Sequence, residues 1–237
     1  MSQLTLAGAT LNQIPFDWDN NLGNIRAAII EAKKQKAELL LLPELCITGY
    51  GCEDVFLSDW LAATAAQKLL SLVPLCDNII VCIGLPIRMD SVTYNGVCVI
   101  RNQQILGITL KQNLANEGVH YEPRWFRAWK AGEVTSINMG GQEVAVGDLI
   151  YTHRDITFGF EICEDAWRKN RPGYRLKERG VQLILNPSAS HFALGKSTHR
   201  EKDVVIDGSE KFQCVYLFVN HLGNEAGRMI YDGDIVV

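Results

Sequence analysis

The chain has 237 residues, of which 47% are hydrophobic and 21% charged, a composition typical of one globular domain with a sizeable core. Its formal net charge of -4 offers no basic surface of the kind that nucleic acid binding requires. No apolar run approaches the ~20 residues that cross a bilayer, and the first residues lack the pattern of a signal peptide, so we expect a cytoplasmic protein without membrane contact.

The first half of the chain alternates strands and helices. A first strand is predicted at residues 4–11, and a helix follows, with a cap at Asp19 and apolar residues at helical spacing: Leu22, Ile25, Ile29 and Ala32. The pattern continues with a strand at 37–42, a helix at 58–73 and a strand at 78–86. Residues 92–100 and 104–110 are close enough to form a hairpin, so the predicted sheet is mixed. This βαβαβ order predicts the α/β class.

The second half begins with residues 112–147, where periodicity fails and aromatic residues collect. We predict a long ordered loop there, and such loops usually carry function. Strands are predicted at 156–162, 181–185, 215–219 and 229–237, with a short helix after the first of them. Thr198 and Glu201 resemble a capping box that opens a helix ending near Phe212.

Three predicted strands end in chemically capable side chains: Glu44, Lys111 and Cys163. In layered α/β proteins, ligands sit in the crevice beyond the strand ends, so these side chains could converge there. Each residue alone has a commoner structural explanation, because a charge after a strand is usually a cap or a solvated loop residue, and buried cysteines are common. The three together predict a Glu–Lys–Cys site.

The chemistry of such a site follows from the residue types. Backbone N–H groups and the positive end of a helical turn at Cys163 favour thiolate, with Lys111 as the cation that holds it. A half-buried Glu44 has a raised pKa and could take the thiol proton and later return it to a leaving amine. Lys111 could also stabilise the oxyanion of a tetrahedral intermediate. This set suits attack on an amide or nitrile carbon.

Metal chemistry is not expected. The seven cysteines include no Cys-x-x-Cys pair, and no histidine lies at zinc-finger spacing from them. The five histidines are scattered without ligand spacing. Apart from Cys163, the cysteines are interpreted as small buried hydrophobes in a reducing compartment.

The motifs around the three residues resemble the nitrilase, or carbon–nitrogen hydrolase, superfamily over essentially the whole chain. The matching strings are Pro43-Glu44-Leu45, Lys111 and Glu161-Ile162-Cys163-Glu164-Asp165. Longer strings, including Asn186-Pro187-Ser188-Ala189-Ser190, are similar to the glutaminase domain of glutamine-dependent NAD⁺ synthetases. The resemblance implies that residues 1–237 form a four-layer α-β-β-α sandwich.

The same resemblance implies the reaction and the site. Cys163 would be the nucleophile, Glu44 the general base and Lys111 the oxyanion stabiliser, with Glu122 in an orienting role. L-Glutamine would be the substrate, passing through a γ-glutamyl thioester with release of ammonia.

Substrate recognition is implied at four positions. Lys196 could meet the α-carboxylate, Ser190 could donate a hydrogen bond, and Tyr50 would line the pocket. Position 117, where many relatives have tyrosine, is Glu117 in this chain. A carboxylate there could pair with the substrate α-amino group, or the contact could involve only the backbone.

The chain also departs from whole synthetases. It lacks the Ser-Gly-Gly-x-Asp-Ser loop that grips ATP pyrophosphate, so we expect no cofactor in this domain. ATP and deamido-NAD⁺ would belong to a missing synthetase domain, the expected partner in a homo-oligomer. The sequence stops at Asp232-Gly233-Asp234-Ile235-Val236-Val237, mid-strand by pattern, which predicts a sandwich lacking its last strands.

Two alternatives stay open at this point. A stand-alone hydrolase of an ω-amide, a nitrile or an N-carbamoyl compound would use the same three residues. A non-catalytic domain used in oligomer assembly is a further possibility, against which the intact Glu–Lys–Cys set argues.

Overall fold

A computed structural model of the chain describes residues 3–225 and 228–237. The strands are β1 Leu6–Gly8, β2 Leu39–Leu41, β3 Ile80–Met89, β4 Val92–Arg101, β5 Gln104–Leu110, β6 Val134–Met139, β7 Gln142–Gly147, β8 Tyr151–His153, β9 Ile156–Phe160, β10 Leu183–Pro187, β11 Val215–Val219, β12 Leu222–Asn224, β13 Ile230–Asp232 and β14 Ile235–Val236. The α-helices are α1 Trp18–Lys34, α2 Asp59–Leu72, α3 Gly173–Glu178, α4 Lys196–His199 and α5 Asp207–Phe212. None of these helices is long and apolar enough to span a membrane.

The strands form two mixed sheets and a two-stranded ribbon. The larger sheet has the order β1-β2-β3-β4-β5-β7-β6, the smaller sheet the order β14-β11-β10-β9-β8, and β12 pairs with β13. Because β4 is antiparallel to both β3 and β5, β5 runs in the same direction as β2 and β3. The C-terminal ends of β2 and β5 therefore lie at the same end of the larger sheet.

The two sheets pack face to face between two layers of helices. Alternate residues of a strand point to opposite faces, so Leu39 and Leu41 of β2 lie in the core between the sheets. Leu40 lies in the core beneath α1 and α2. On the other side, Leu176 of α3 and Phe212 of α5 pack against the outer face of the smaller sheet. This order of layers confirms the predicted α-β-β-α sandwich.

Helix α1 buries the predicted apolar stripe, but its cap differs from the prediction. All four residues of the stripe are buried: Leu22, Ile25, Ile29 and Ala32. The N-cap is Asp17, whose side chain accepts from the Asn20 N–H at 3.3 Å. Asp19 was the wrong choice because it lies inside the first turn, where an acid interacts favourably with the helix N-terminus.

One predicted hairpin is confirmed and another was missed. β4 and β5 pair antiparallel through Asn102 and Gln103, which have φ of 48° and 63°, as a tight hairpin turn requires. Within 112–147, which was predicted to be a loop, residues 134–147 form the β6–β7 hairpin, and β7 pairs with β5 at the sheet edge. Ile137, Met139, Val144 and Val146 face the core, but Thr135 lies in the same row and Val134 is exposed, so the apolar alternation is short and broken.

The last helix and the last strands also differ from the predictions. The helix starts at Lys196, one residue after Gly195 (φ 77°), and Thr198 and Glu201 form no capping box because both lie inside it. A π-helical segment, Arg200–Ile206, joins α4 to α5, which ends at Phe212 as predicted. Within 229–237, Gly233 (φ 78°) interrupts the predicted strand, giving β13 and β14 in different sheets.

Candidate active site

The ends of β2, β5 and β9 bring Glu44, Lys111 and Cys163 together. Lys111 Nζ donates to Glu44 Oε1 at 2.6 Å, and both side chains are fully buried. Cys163 is close enough for both charges to act on its thiol. The convergence expected from the strand ends therefore holds, although β9 belongs to the other sheet.

Glu122 completes a buried set of two carboxylates around one ammonium. Lys111 Nζ donates to Glu122 Oε1 at 2.8 Å, and Glu122 Oε2 accepts from the Ala115 N–H at 2.9 Å. The Tyr50 hydroxyl donates to the same Oε1 at 2.7 Å. Glu122 therefore gives the lysine a second carboxylate partner, from within the loop that the sequence marked as functional.

Burial and the neighbouring charges shift the pKa of Lys111 in opposite directions. Burial alone would lower the pKa of Lys111, but the nearby carboxylates of Glu122 and Glu44 outweigh it and raise the pKa well above its ordinary value. The side chain is consequently a permanent ammonium at the centre of the site.

Glu44 is held by three donors and still resists ionisation. In addition to Lys111, the Asn95 Nδ2 donates to Oε1 at 2.7 Å and the Ala189 N–H donates to Oε2 at 2.9 Å. Burial raises the pKa of Glu44, and Glu122 raises it further, whereas Lys111 and Asn95 lower it. The net pKa lies above the ordinary value, which suits a group that exchanges protons during a reaction.

Cys163 sits in a conformation that non-glycine residues rarely adopt. Its φ is 47°, and it opens a short 3-10 turn, Cys163–Trp167, directly after β9. Such strain is characteristic of functional positions that the surrounding structure holds in place.

Asp165 supplies that support and was not singled out in the sequence. Its Oδ2 accepts from the Ile162 N–H at 2.9 Å, on the residue before the cysteine. Its Oδ1 accepts from the backbone N–H groups of Gln112 and Asn113 at 3.1 and 2.7 Å. One carboxylate thus ties the turn of the nucleophile to the segment that follows Lys111.

The resting form of Cys163 is the thiol, which corrects the expectation of a thiolate. Burial raises the pKa of Cys163 far above its ordinary value, and Glu44 raises it further, whereas Lys111 lowers it less. The single 3-10 turn is too short to offset the burial of the anion. Formation of the thiolate would therefore require removal of the thiol proton, and Glu44 is the carboxylate that raises the pKa of Cys163 most.

A cavity of about 290 Å³ opens onto Cys163. Its wall consists of residues from the functional loop, the cysteine turn and the segment after β10: Ala115, Glu117, Gly118, His120, Cys163, Glu164, Trp167, Ser190, His191 and Lys196. Three of the four predicted substrate residues belong to this wall. The fourth, Tyr50, does not belong to this wall, and its hydroxyl donates to Glu122 instead.

Ser190 and Lys196 both present polar groups to the cavity. Ser190 Oγ accepts from Arg200 Nε at 3.2 Å, so its own O–H can donate into the cavity. Arg200 is fully buried and also donates to Asp232 and Asp234 at 2.6 and 2.5 Å. The pKa of Lys196 is lowered, mainly by burial.

Glu117 lies at the rim with its side chain 82% exposed. Arg168 NH1 donates to Glu117 at 3.1 Å, and Arg168 Nε donates to Glu164 at 2.6 Å. The two carboxylates and one guanidinium leave an excess of negative charge beside the cysteine. Glu164 is half-buried there, and burial raises its pKa.

His120 and His191 are site residues that the sequence did not reveal. His120 Nε2 and His191 Nδ1 are 2.9 Å apart, and both rings line the cavity. No spacing rule links two histidines 71 positions apart, and neither has a metal-ligand motif. In the part of the chain that the structure describes, no three His, Cys, Asp or Glu side chains are arranged to hold a metal ion.

Comparison with known proteins agrees with this geometry. The family model described as carbon-nitrogen hydrolase matches residues 5–233. A glutamine-dependent NAD(+) synthetase from Drosophila melanogaster is 34% identical over 98% of this chain, which spans only 31% of that protein. The crystal structure of a glutamine-dependent NAD(+) synthetase from Cytophaga hutchinsonii is 51% identical with a TM-score of 0.91, covering 99% of this chain and 38% of that one.

The fold alone extends to an amidase from Nesterenkonia sp., with a TM-score of 0.77 at 20% identity, covering 99% of this chain and 82% of that one. The chain thus spans about a third of the length of the curated relatives that it matches, within their carbon–nitrogen hydrolase region. The family match over residues 5–233 and the buried Glu–Lys–Cys site lead to one assignment. This chain is a member of the carbon–nitrogen hydrolase family.

Proposed function

We propose that this chain hydrolyses the side-chain amide of glutamine through a thioester on Cys163. The observation that carries the proposal is the buried ammonium of Lys111 between Glu44 and Glu122, next to a cysteine at the floor of a cavity with a lysine at its wall. The names of the synthetases similar to this chain support glutamine as the nitrogen donor.

In the first half of the reaction, Cys163 Sγ attacks the carboxamide carbon while Glu44 takes the thiol proton. Charge develops on the amide oxygen, where the fixed ammonium of Lys111 can stabilise it; loss of one such donor typically costs about 10²–10³ in rate. The C–N bond then breaks as Glu44 returns the proton to the leaving nitrogen. Ammonia and a γ-glutamyl thioester result.

In the second half, a water molecule attacks the thioester carbon while Glu44 accepts its proton. Lys111 stabilises the second tetrahedral intermediate, which expels the Cys163 sulfur. Glu44 returns the proton to the sulfur, so that the thiol is restored and glutamate leaves. Glu44 therefore acts twice as base and twice as acid, which its raised pKa favours.

The amino-acid end of glutamine fits the charges of the cavity wall. Lys196 would pair with the α-carboxylate, and the Ser190 hydroxyl would donate to it. The excess negative charge of Glu117 and Glu164 would attract the α-ammonium group, with Glu117 at the rim.

We further propose that residues 1–237 act as the ammonia-supplying domain of a larger assembly. The similar synthetases are about three times longer than the matched region, so ATP and deamido-NAD⁺ would bind to a synthetase domain outside this chain. No cofactor is assigned to the chain itself. A cytoplasmic homo-oligomer is the state that we propose for the complete enzyme.

Ammonia and glutamate release from glutamine tests the proposal. Cys163→Ala should abolish both, whereas Cys214→Ala, at a partly exposed cysteine on the far side of the smaller sheet, should retain them. Undiminished release by Cys163→Ala would contradict the mechanism. Preferred turnover of a short aliphatic amide, a nitrile or an N-carbamoyl compound would replace glutamine as the substrate while retaining the mechanism.

A further inference from the structure

A continuous chain of hydrogen bonds joins Lys196, in the cavity wall, to the carboxylate of Glu122. Lys196 Nζ lies 3.1 Å from His191 Nδ1 and 3.2 Å from His191 Nε2, and His191 Nδ1 lies 2.9 Å from His120 Nε2. His120 Nδ1 lies 3.0 Å from the Tyr50 oxygen, and the Tyr50 hydroxyl lies 2.7 Å from Glu122 Oε1. Each ring nitrogen of both histidines is therefore within hydrogen-bond distance of a defined partner.

The chain fixes where each proton lies, starting from Glu122. An ionised carboxylate only accepts, so Tyr50 donates to it and its oxygen must accept from His120 Nδ1–H. His120 Nε2 is then the acceptor in a neutral ring and requires a proton on His191 Nδ1. Lys196 Nζ is near both nitrogens of His191, and because Nδ1 then carries the proton, only Nε2 can accept from the ammonium, so every donor points towards Glu122.

Both rings are neutral, as this pattern requires. Burial lowers the pKa of His120 to about 3, and the cations Lys111, Lys196 and Arg228 lower it further. Burial also lowers the pKa of His191, helped by Lys196 and Arg200 and opposed by Asp232. A neutral imidazole has one donor and one acceptor, whereas an imidazolium at either position would place two donors against each other.

The consequence reaches the catalytic lysine. Tyr50 and Lys111 donate to the same oxygen of Glu122, so the Tyr50 proton helps to fix the carboxylate against which the ammonium rests. If His120 carried its proton on Nε2, Tyr50 would donate to His120 Nδ1 and would face Glu122 with lone pairs only. The tautomer of His120 thus decides whether Glu122 is held.

We propose that His120 and His191 are positioning residues of the catalytic centre, linked as a chain of fixed tautomers that aims the Tyr50 hydroxyl at Glu122 and thereby places Lys111. The hydrogen-bonded chain begins at Lys196, the residue proposed to bind the substrate carboxylate. The kinetic test with glutamine rests on the proposed function. The predicted tautomers of His120 and His191 do not depend on which amide is the substrate.

The first test needs no activity. ¹⁵N NMR of the histidine side chains in this chain should show protonated Nδ1 and unprotonated Nε2 for both His120 and His191, the tautomer that is less favoured in water. His199, which is exposed, provides a reference in the same spectra, and His120→Asn and His191→Asn assign the signals. An Nε2–H tautomer at His120, or a protonated ring near neutral pH, would overturn the proposal.

The second test is kinetic and uses His120→Leu, His120→Asn, Tyr50→Phe and the double variant His120→Leu/Tyr50→Phe. His120→Leu and Tyr50→Phe should each lower kcat about 3- to 10-fold, the effect of losing one hydrogen bond, with little change in KM. His120→Asn should retain more of kcat than His120→Leu, because its amide N–H can reach the position of Nδ1. The double variant should be no slower than the slower single variant, since both break one chain.

Tyr151→Phe is the matched control, because this buried hydroxyl contacts Thr109 outside the site and its loss should leave kcat unchanged. Any of three results would contradict the proposed hydrogen-bonded chain. They are an unchanged kcat in His120→Leu, equal losses of kcat in His120→Asn and His120→Leu, and multiplicative losses of kcat in the double variant. Assays with both glutamine and a short aliphatic amide separate the proposed glutaminase function from the positioning role of the histidines. Turnover of the amide alone, with the expected variant pattern, would refute the proposed function and support the positioning role.

Discussion

At the scale of single residues, the site is built around a thiol that its surroundings keep protonated. Cys163 is buried beside Glu44, whose carboxylate raises the thiol pKa further. A thiolate formed in the absence of substrate would be costly, so the proposed mechanism couples proton removal to attack. Under this proposal Glu44 is as necessary as Cys163.

Glu44→Gln should therefore lower kcat for glutamine about 10²- to 10⁴-fold, the usual contribution of a positioned base. The amide keeps the shape of the carboxylate but cannot take the proton. Steady-state ammonia release measures the loss. Glu53→Gln, at an exposed glutamate paired with Arg228, is the control and should match the parent chain; a loss below about tenfold in Glu44→Gln would remove Glu44 from the base role.

The pH dependence of kcat/KM should follow the raised pKa of Glu44. Activity requires the carboxylate, so it should fall as pH decreases through a midpoint above the ordinary glutamate value of 4.5. Asn95→Leu removes a hydrogen bond that lowers this pKa and should move the midpoint to higher pH. Thr93→Val, on the same strand with its hydroxyl on Phe56 O, should leave the midpoint in place; a midpoint unmoved in Asn95→Leu would contradict the assignment.

At the scale of elements, long-range contacts between loops assemble the cavity. Asp165 joins the cysteine turn to the segment after β5, and Arg200 joins the helix 196–212 to the loop of Ser190 and to the end of β13. These two residues act on the site without lining the cavity. Substitution of either residue should displace the side chains of the cavity without removing a reacting group.

Arg200→Met should destabilise the fold by about 3–5 kcal/mol, since it leaves Asp232 and Asp234 without their buried cation. It should also raise KM for glutamine, because Ser190 loses the donor that orients its hydroxyl. Denaturant unfolding and steady-state kinetics measure the two effects. Arg154→Met, which breaks an ion pair with Glu38 at the opposite end of the sandwich, should change stability less and leave KM unchanged.

Glu225 ties β12 to the segment that carries Tyr50. Its Oε1 accepts from the Tyr50 N–H at 2.9 Å and its Oε2 from the Tyr231 hydroxyl at 3.1 Å. Burial raises the pKa of Glu225 to about 7. A raised carboxyl pKa in the folded state means that stability is full below the unfolded value and is lost as pH rises towards 7.

Glu225→Gln should therefore gain stability relative to the parent chain as pH rises from 4.5 to 8, by up to about 3 kcal/mol if the full shift is expressed. At pH 4.5 the two chains should differ less, because the parent carboxyl is then protonated in the folded state. Melting temperatures across this range provide the measurement. A difference in stability that does not vary with pH would show that Glu225 titrates normally.

At the scale of the whole molecule, sequence patterns predicted what short segments encode. The sandwich layers follow from the alternation in strands such as β2, and Glu44, Lys111 and Cys163 stand directly after strands, where local pattern and motif coincide. The hairpin β6–β7 was missed because its apolar alternation is short and is broken by an inward Thr135 and an exposed Val134. The caps of α1 and of the helix 196–212 were misplaced because several polar residues compete near each start.

Local sequence patterns could not predict the contacts between distant segments. The pairing of Glu117 with Arg168, the contact of Asp165 with Asn113 and the His120–His191 contact each join segments at least 50 positions apart. The thiol state of Cys163 was also misjudged, because burial and the charge of Glu44 are tertiary effects. The sequence therefore predicted which candidate groups converge, and the fold determines how they are held and protonated.

The most direct measurement is mass spectrometry of the intact chain after exposure to 6-diazo-5-oxo-norleucine, a glutamine-like electrophile, followed by peptide mapping. The account predicts one adduct, on Cys163, whose formation glutamine slows in competition. Glu44→Gln should form it far more slowly, because the buried thiol then has no base. An adduct on another cysteine, or labelling of Cys163 that glutamine does not affect, would contradict the assignment of Cys163 as the nucleophile of a glutaminase.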